Sequence, residues 1–113
     1  MLGNKMININ KKDEKGLNAF WIAAYHGHGD VMRVLAEKGI EIYNADTSGN
    51  NALHICAKFK NRFNVFKMLV RSNYNLNIVN NAGDTAAHIA AQKGNLEHLQ
   101  ALVDKDADIN VKN

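Results

Sequence analysis

The sequence has no proline, a single cysteine and no long apolar run among its 113 residues. One cysteine excludes an internal disulfide bond. The apolar stretches fall well short of the roughly 18 residues that a membrane-spanning helix needs, and the first residues lack the apolar core of a signal peptide. We therefore expect an intracellular protein, located in the cytoplasm, that does not insert into a membrane by itself.

Three similar segments recur at an almost fixed interval, at residues 18–24, 51–57 and 85–91. The fourth residues of these segments are Trp21, His54 and His88, which lie 33 and 34 positions apart. A period of this length indicates tandem repeats, in which each unit buries its apolar faces against its neighbours. The hydrophobic fraction of 46% favours a folded array over a disordered chain.

Other motifs recur with the same period. Each unit opens on a turn sequence, at residues 13–16, 46–49 and 80–83, and a central glycine follows at Gly27 and Gly94. Closing sequences of the type Asp108-Ile109-Asn110 complete the pattern. The whole pattern resembles the ankyrin repeat. The resemblance covers residues 8 to 113 and implies an all-α solenoid, in which each repeat contributes a β-hairpin loop and two antiparallel helices.

On this resemblance the chain is a single domain, residues 1–113. Residues 8–12 are expected to be the end of a preceding repeat, and the three repeats to cover residues 13–45, 46–79 and 80–112. Polar capping repeats are not evident, so we expect a segment of a longer array. The apolar ends of an uncapped stack would favour end-to-end self-association.

Each predicted first helix has a start signal and, in two repeats, a stop signal. Asn18, Asn51 and Thr85 can accept a hydrogen bond from the first turn, and alanine follows each of them. The family prefers proline there, so we expect lower stability than in a consensus array. Gly27 and Gly94 are predicted to end these helices in the left-handed conformation. The second repeat is one residue longer, and we expect Asn61 to take that conformation there.

The second helices are predicted to close at Gly39, Asn73 and Asp106, which tolerate the same left-handed shape to a decreasing degree. Cys56 stands in an alanine position of the second repeat, where we expect a small buried apolar side chain. A reactive thiol is the less favoured alternative.

The resemblance implies that His54 and His88 hydrogen bond to the next hairpin. Trp21 replaces this histidine in the first repeat, where an indole offers one donor and no acceptor. We expect Trp21 to cover the open end of the stack, with contact to a missing upstream repeat as the alternative. His26, His28 and Asp30 lie close together, but no further ligand is placed near them. No nucleophile recurs with the histidines, so we expect neither catalysis nor a metal or cofactor.

Charge is concentrated in the middle repeat. Residues 46–79 carry five basic and one acidic side chain, a net charge of +4, whereas residues 80–113 carry three and five, a net charge of −2. The basic residues are Lys58, Lys60, Arg62, Lys67 and Arg71. They could face an acidic partner, a phosphate or nucleotide, or an anionic membrane surface, but a solvated helix face is the simpler interpretation. Nucleic acid is disfavoured because Phe59 alone could stack on a base.

The resemblance implies that the hairpin tips and the ends of the first helices line a concave binding face. The matching positions are Glu14, Lys15, Leu17, Tyr25, His26, Thr47, Ser48, Asn50, Lys58, Phe59, Asn81, Ala82, Asp84, Gln92 and Lys93. Tyr25 and Phe59 are the expected anchors, since aromatic residues often dominate interface energy. We predict a protein–protein interaction module. The alternative is a regulatory or substrate-recruiting domain of a larger enzyme, channel or acyltransferase.

Overall fold

The computed structural model describes residues 8–105, which form six α-helices and one short 3₁₀ helix. The α-helices are α1 (Ala19–His26), α2 (Gly29–Glu37), α3 (Ala52–Lys58), α4 (Phe63–Arg71), α5 (Ala86–Lys93) and α6 (Leu96–Asp104), and the 3₁₀ helix is Lys60–Arg62. The predicted all-α repeat fold is confirmed. Within residues 8–105 no strand is present, so the hairpin loops are hydrogen-bonded turns without a strand ladder.

The helices form two stacked rows. Each first helix packs against the second helix of its own repeat, and α3 lies between α1 and α5. The second helices form the other row, with α4 between α2 and α6. The resulting body measures 52 × 26 × 25 Å, the elongated shape of a stack in which each unit contacts its neighbours.

The predicted start signals are confirmed in all three repeats. The side-chain oxygens of Asn18, Asn51 and Thr85 accept hydrogen bonds from the main-chain nitrogens three residues later, at 3.0, 3.1 and 3.3 Å. Each bond satisfies one of the main-chain donors that the first turn of a helix leaves free. The alanine that follows each cap is the first residue of the helix.

The predicted stop signals are confirmed in the first and third repeats. Gly27 and Gly94 follow α1 and α5 with φ of 79° and 70°, a conformation that side chains with a Cβ resist. Gly39 follows α2 in the same region, with φ of 89°. After α4 the chain leaves the helix at Ser72 in an extended conformation, one residue before Asn73. Asp106 lies outside the described residues.

The prediction for Asn61 is wrong. Helix α3 ends at Lys58, and Phe59 follows it in an extended conformation with φ of −119° and ψ of 123°. Asn61 then lies inside the 3₁₀ helix that leads into α4. The additional residue of the second repeat is therefore absorbed by one extended residue and one tight helical turn, so no left-handed residue is needed at Asn61.

Small side chains let the first helices approach one another. Ala24 and Ala57 are fully buried, together with Cys56, whose sulfur lies 3.6 Å from the main-chain oxygen of Ala24. Burial raises the pKa of the Cys56 thiol to about 12. The prediction of a small buried side chain at Cys56 is confirmed, and larger residues such as Phe66 and Met32 fill the space toward the second helices.

The core contains several buried polar side chains, among them a histidine ring in contact with two phenylalanines. His98 of α6 lies against the rings of Phe63 and Phe66, with centroid distances of 5.3 and 4.7 Å. Within the described part of the chain its Nε2 atom has no hydrogen-bond partner. Burial lowers the pKa of His98, because the apolar surroundings disfavour the charged ring.

Candidate functional site

The hairpin tips are built by one repeated set of local bonds. An oxygen of Asp13, Asp46 or Asn80 accepts hydrogen bonds from the main-chain nitrogens two and four residues later, at 2.9 to 3.0 Å. These contacts replace the longer-range bonds of a strand ladder. Each tip is therefore fixed mainly by residues of its own turn, and its side chains are held at defined places along the array.

The second and third tips are also joined to each other. Asn81 donates from its main-chain nitrogen to the oxygen of Ser48 at 3.0 Å, and from its side chain to the oxygen of Thr47 at 2.9 Å. The approach is close at Gly49, where an added Cβ would lie 2.6 Å from the Asn81 side-chain oxygen. Gly49 therefore serves both a left-handed turn and a tight contact between neighbouring tips.

The predicted link from histidine to the next hairpin is confirmed for His54. Its Nδ1 accepts from the main-chain nitrogen of Asn51 at 3.0 Å. The Nε2 atom then carries the proton and lies 3.0 and 3.1 Å from the main-chain oxygens of Ile78 and Asp84. Burial lowers the pKa of His54, although these carbonyls partly oppose the shift. The neutral ring thus joins the second repeat to the third.

His88 repeats the local part of this arrangement. The main-chain nitrogen of Thr85 donates to its Nδ1 at 2.9 Å, as Asn51 does to His54. The hairpin that would follow the third repeat lies outside the described residues, so the predicted outward bond of His88 stays a prediction.

Trp21 joins two repeats, and the expectation that it covers the open end of the stack is wrong. Its indole Nε1 donates to the main-chain oxygen of Asn50 at 2.8 Å. Asn50 is the counterpart of Asp84, whose main-chain oxygen accepts from His54 in the next repeat. The ring packs between Leu17 and Ile55. The indole therefore keeps the donor function of the family histidine toward the following repeat.

Asn44 supplies the acceptor that Trp21 lacks. Its side-chain oxygen accepts from the main-chain nitrogen of Asn18 at 2.9 Å, as the ring of His54 does for Asn51. The Asn44 amide also donates to the main-chain oxygen of Gly16 at 3.1 Å. Asn44 is buried, so these bonds are shielded from water. Two residues of the first repeat, Trp21 and Asn44, thus replace one histidine.

A cleft of about 990 Å³ lies between the first hairpin tip, the second tip and α1. Trp21 and Tyr25 form its apolar wall, stacked with ring centroids 5.7 Å apart and an interplanar angle of 12°. The structure brings six of the predicted binding residues together here. They are Glu14, Lys15, Leu17, Tyr25, His26 and Thr47.

The same cleft contains residues that sequence reasoning did not select. Trp21 and Ile22 of α1 line it, as do Lys11, Lys12, Asp13 and Asp46. The aromatic residue at position 21 is the signal in the sequence that marks this part of α1. Leu17 and Trp21 are 9% and 8% exposed, so both pack mainly beneath the cleft, and Tyr25, which is 42% exposed, presents most of the apolar surface.

The other predicted residues lie outside this cleft, on the turns and helix ends of the second and third repeats. Ser48, Asn81 and Ala82 are exposed at the tips, and Gln92 and Lys93 are exposed at the end of α5. Asn50 and Asp84 are half-buried, and their main-chain oxygens accept the bonds from Trp21 and His54. A role of any of these fifteen residues in binding stays a prediction.

Tyr25 and Phe59 are in contact, and basic groups surround them. Their rings meet edge to face with centroids 6.2 Å apart. Lys58 Nζ lies 5.9 Å from the Phe59 centroid, and Arg62 Nε donates to the Tyr25 main-chain oxygen at 2.6 Å. His26 lies edge to face with Tyr25 at 5.1 Å. We refer to these five residues as the aromatic–basic cluster.

The remaining basic residues of the second repeat have a different setting. Lys67 and Arg71 of α4 line a groove of about 410 Å³ that they share with Glu97 and Asp104 of α6. Lys67 Nζ also lies 5.9 Å from the ring of Phe63. The basic groups of α4 therefore face acidic groups of α6. A surface of mixed charge of this kind is poorly suited to bind a continuous polyanion.

In the described part of the chain, the structure brings together no group of three or more His, Cys, Asp or Glu side chains suited to a metal ion. His26 and His28 have stacked rings 6.1 Å apart, while Asp30 accepts a hydrogen bond from Arg33 at 2.6 Å. None of the helices between residues 8 and 105 has the length and apolar character that a bilayer crossing requires.

A family model described as ankyrin repeats, in three copies, matches residues 1–80 and 45–113. The chain belongs to the ankyrin repeat family. Ankyrin repeats are generally protein-interaction modules without catalytic activity.

Three relatives are similar over most of this ankyrin array. The "Ankyrin repeat-containing protein P1E11.10" of Schizosaccharomyces pombe is 26% identical over 94% of the chain and 50% of its own length. The human "Transient receptor potential cation channel subfamily A member 1" is 29% identical over 97% of the chain and 10% of its own length. The "Tyrosine-protein kinase Shark" of Drosophila melanogaster is 30% identical over 85% and 10%. The chain thus spans half or less of these relatives.

Proposed function

We propose that this ankyrin array is a protein-interaction module that holds a segment of a partner protein against its concave face. The observation that carries the proposal is the cleft formed by the first two hairpin tips and α1, in which Trp21 and Tyr25 form an apolar wall with charged residues around them. Apolar anchoring positions with a polar rim are typical of interface hot spots. No reaction is assigned to the chain.

The residues around the cleft are held in place by hydrogen bonds within the array itself. The tips are fixed by the side chains of Asp13 and Asp46, and Trp21 is held by its bond to Asn50. A preorganised surface binds with a smaller loss of conformational entropy than a loop that must be ordered. The cleft is therefore well suited to select an extended segment of another protein.

The proposal is tested by site-specific photocrosslinking in extracts of cells that express the chain. A photoreactive residue replaces Thr47, which lines the cleft, or Glu37, which is exposed at the end of α2. We expect adducts from position 47 that are absent from position 37 and that disappear when Tyr25→Ala is added. Equal adducts from both positions, or none from position 47, would contradict the proposal.

A second candidate is a regulatory or substrate-recruiting domain of a larger enzyme, channel or acyltransferase. It is favoured by the names of two longer relatives, a cation channel and a tyrosine-protein kinase, of which the chain covers 10% each. An antibody raised against the array separates the candidates. A native polypeptide much larger than the array, with an activity that changes when Tyr25 is replaced by alanine, would support the second one.

A further inference from the structure

The additional residue of the second repeat changes the surface at the end of α3. In the first and third repeats the corresponding helices end on Gly27 and Gly94, which carry no side chain. In the second repeat the helix ends one residue earlier, and Phe59, which corresponds to His26 and Lys93, follows it in an extended conformation with its ring against Tyr25 of the preceding repeat. The two rings are 37% and 42% exposed, so they form an apolar patch that spans two repeats.

This patch has positive charge on its border. Lys58 lies beside the Phe59 ring, and Arg62 is positioned by its bond to the Tyr25 carbonyl. No carboxylate occurs within residues 58–62 or in the last turn of α1. The three carboxylates of the first two tips line the cleft together with three lysines, which balance their charge. The field at the aromatic–basic cluster therefore favours a negatively charged ligand.

We propose that the aromatic–basic cluster binds an acidic segment of the partner protein. An aromatic or branched aliphatic side chain of that segment would rest on Tyr25 and Phe59, with its flanking carboxylates beside Lys58 and Arg62. The inference rests on the proposed function, since Tyr25 belongs both to the cluster and to the concave cleft. It specifies the kind of partner segment, acidic with one apolar anchor, which the shape of the cleft alone does not define.

The arrangement favours an acidic peptide over a nucleic acid. Binding of a single strand uses several stacking platforms along a basic groove. Here the two rings are edge to face, with an interplanar angle of 89°, and the third repeat has a net charge of −2. A short segment needs only one apolar anchor and a few carboxylates, which the cluster matches.

The test is a selection of displayed random peptides on the intact chain, followed by affinity measurements through the fluorescence of Trp21, the single tryptophan. We expect selected peptides to carry Asp or Glu next to an aromatic or branched aliphatic residue. Their affinity should fall several-fold between low and physiological salt, because exposed charges are screened. A free phosphate salt serves as a competitor and should have little effect at equal ionic strength.

Two charge variants locate the site. Lys58→Gln removes a charge from the cluster, whereas Lys38→Gln removes the same charge from the exposed end of α2, which is not part of the predicted binding face. We expect about a threefold to fivefold loss of affinity for the first and less than a twofold change for the second. The double variant Tyr25→Ala, Phe59→Ala should lose at least about tenfold. Circular dichroism and urea unfolding verify that each variant is folded.

The outcomes separate the two proposals. Neutral or basic peptides that still lose affinity in the double variant would overturn the acidic partner and leave the concave interaction site standing. Equal losses for Lys58→Gln and Lys38→Gln would assign the charge effect to the whole array and overturn the local site. Failure to select any peptide, or selection of peptides indifferent to the double variant, would count against both proposals.

Discussion

The indole nitrogen of Trp21 donates a 2.8 Å hydrogen bond to the main-chain oxygen of Asn50, across the junction between the first and second repeats. Trp21→Phe keeps most of the ring area but leaves this oxygen without its donor. We expect the free energy of unfolding to fall by about 1–2 kcal/mol, measured by urea denaturation. Tyr25→Phe removes an exposed hydroxyl and should change it by less than about 0.5 kcal/mol. Equal effects would refute the assigned role of the bond.

Replacement of Asn44 is predicted to destabilise the fold more than loss of the Trp21 hydrogen bond. Asn44→Ala removes the acceptor for the Asn18 main-chain nitrogen and the donor to Gly16, both in a buried position. The expected loss is about 2–3 kcal/mol, because buried polar groups would lose their partners. The exposed Asn77 is the matched control, and its replacement by alanine should cost less than about 0.5 kcal/mol.

Two glycines with the same backbone conformation allow the cost of backbone strain to be measured separately from the cost of a steric clash. Gly16 and Gly49 both have φ of 80°, but an added Cβ meets nothing within 4 Å at Gly16 and lies 2.6 Å from Asn81 at Gly49. Gly16→Ala should therefore cost about 1 kcal/mol, the penalty of the left-handed region. Gly49→Ala should cost at least about 2 kcal/mol, since the neighbouring tip must also move. Thermal unfolding of the two variants measures the difference.

Stability should decrease on mild acidification. Burial lowers the pKa of His54 and His98 in the folded chain below the usual value of 6.5, although nearby Asp46, Asp84 and Glu97 partly oppose this. The unfolded chain therefore binds protons first as the pH falls. The stability contributed by the neutral rings is complete above about pH 7 and declines as the pH falls through 6.5 toward the lowered values.

Urea unfolding between about pH 7.5 and pH 5.5 measures this slope. His98→Leu removes one titrating ring from the core and should reduce the slope. A slope that is identical in the two proteins would show that this buried ring is not responsible.

Cys56 should be inert in the folded chain. The thiol is fully buried and its pKa is raised to about 12, so both access and thiolate formation are disfavoured near neutral pH. We expect iodoacetamide to label it only through unfolding, at a rate that rises steeply with urea. Rapid labelling of the native chain without urea would contradict the burial. Cys56→Ala should unfold cooperatively and serves as the unlabelled control.

Local signals allowed much of the fold to be predicted. Asn18, Asn51 and Thr85 cap their helices, and Gly27 and Gly94 end them, because both effects depend on a few neighbouring residues. The exception was Asn61. The sequence shows that this loop has one additional residue, but not which backbone conformation it adopts. A left-handed asparagine, or an extended residue followed by a 3₁₀ turn, can connect the same two helices.

The contacts between repeats were harder to predict. The role of Trp21 depends on the carbonyl of Asn50, and its replacement acceptor, Asn44, lies 26 residues from the amide that it binds. The contact of Phe59 with Tyr25 likewise follows from the path of the chain after α3. Such pairs depend on how segments distant in the sequence are packed against each other, and a single sequence does not reveal this where the family pattern is broken.

In the turns, the residues that stabilise the fold differ from the residues whose side chains are exposed to solvent. In the second tip, Asp46 and the main chain of the following residues make the bonds that build the turn, while the side chains of Thr47 and Ser48 are exposed and make none of them. Under the proposed function, substitutions at these two positions would alter what the array recognises with little effect on its folding. Such an arrangement allows recognition to diversify by point mutation, one tip at a time, on a constant frame.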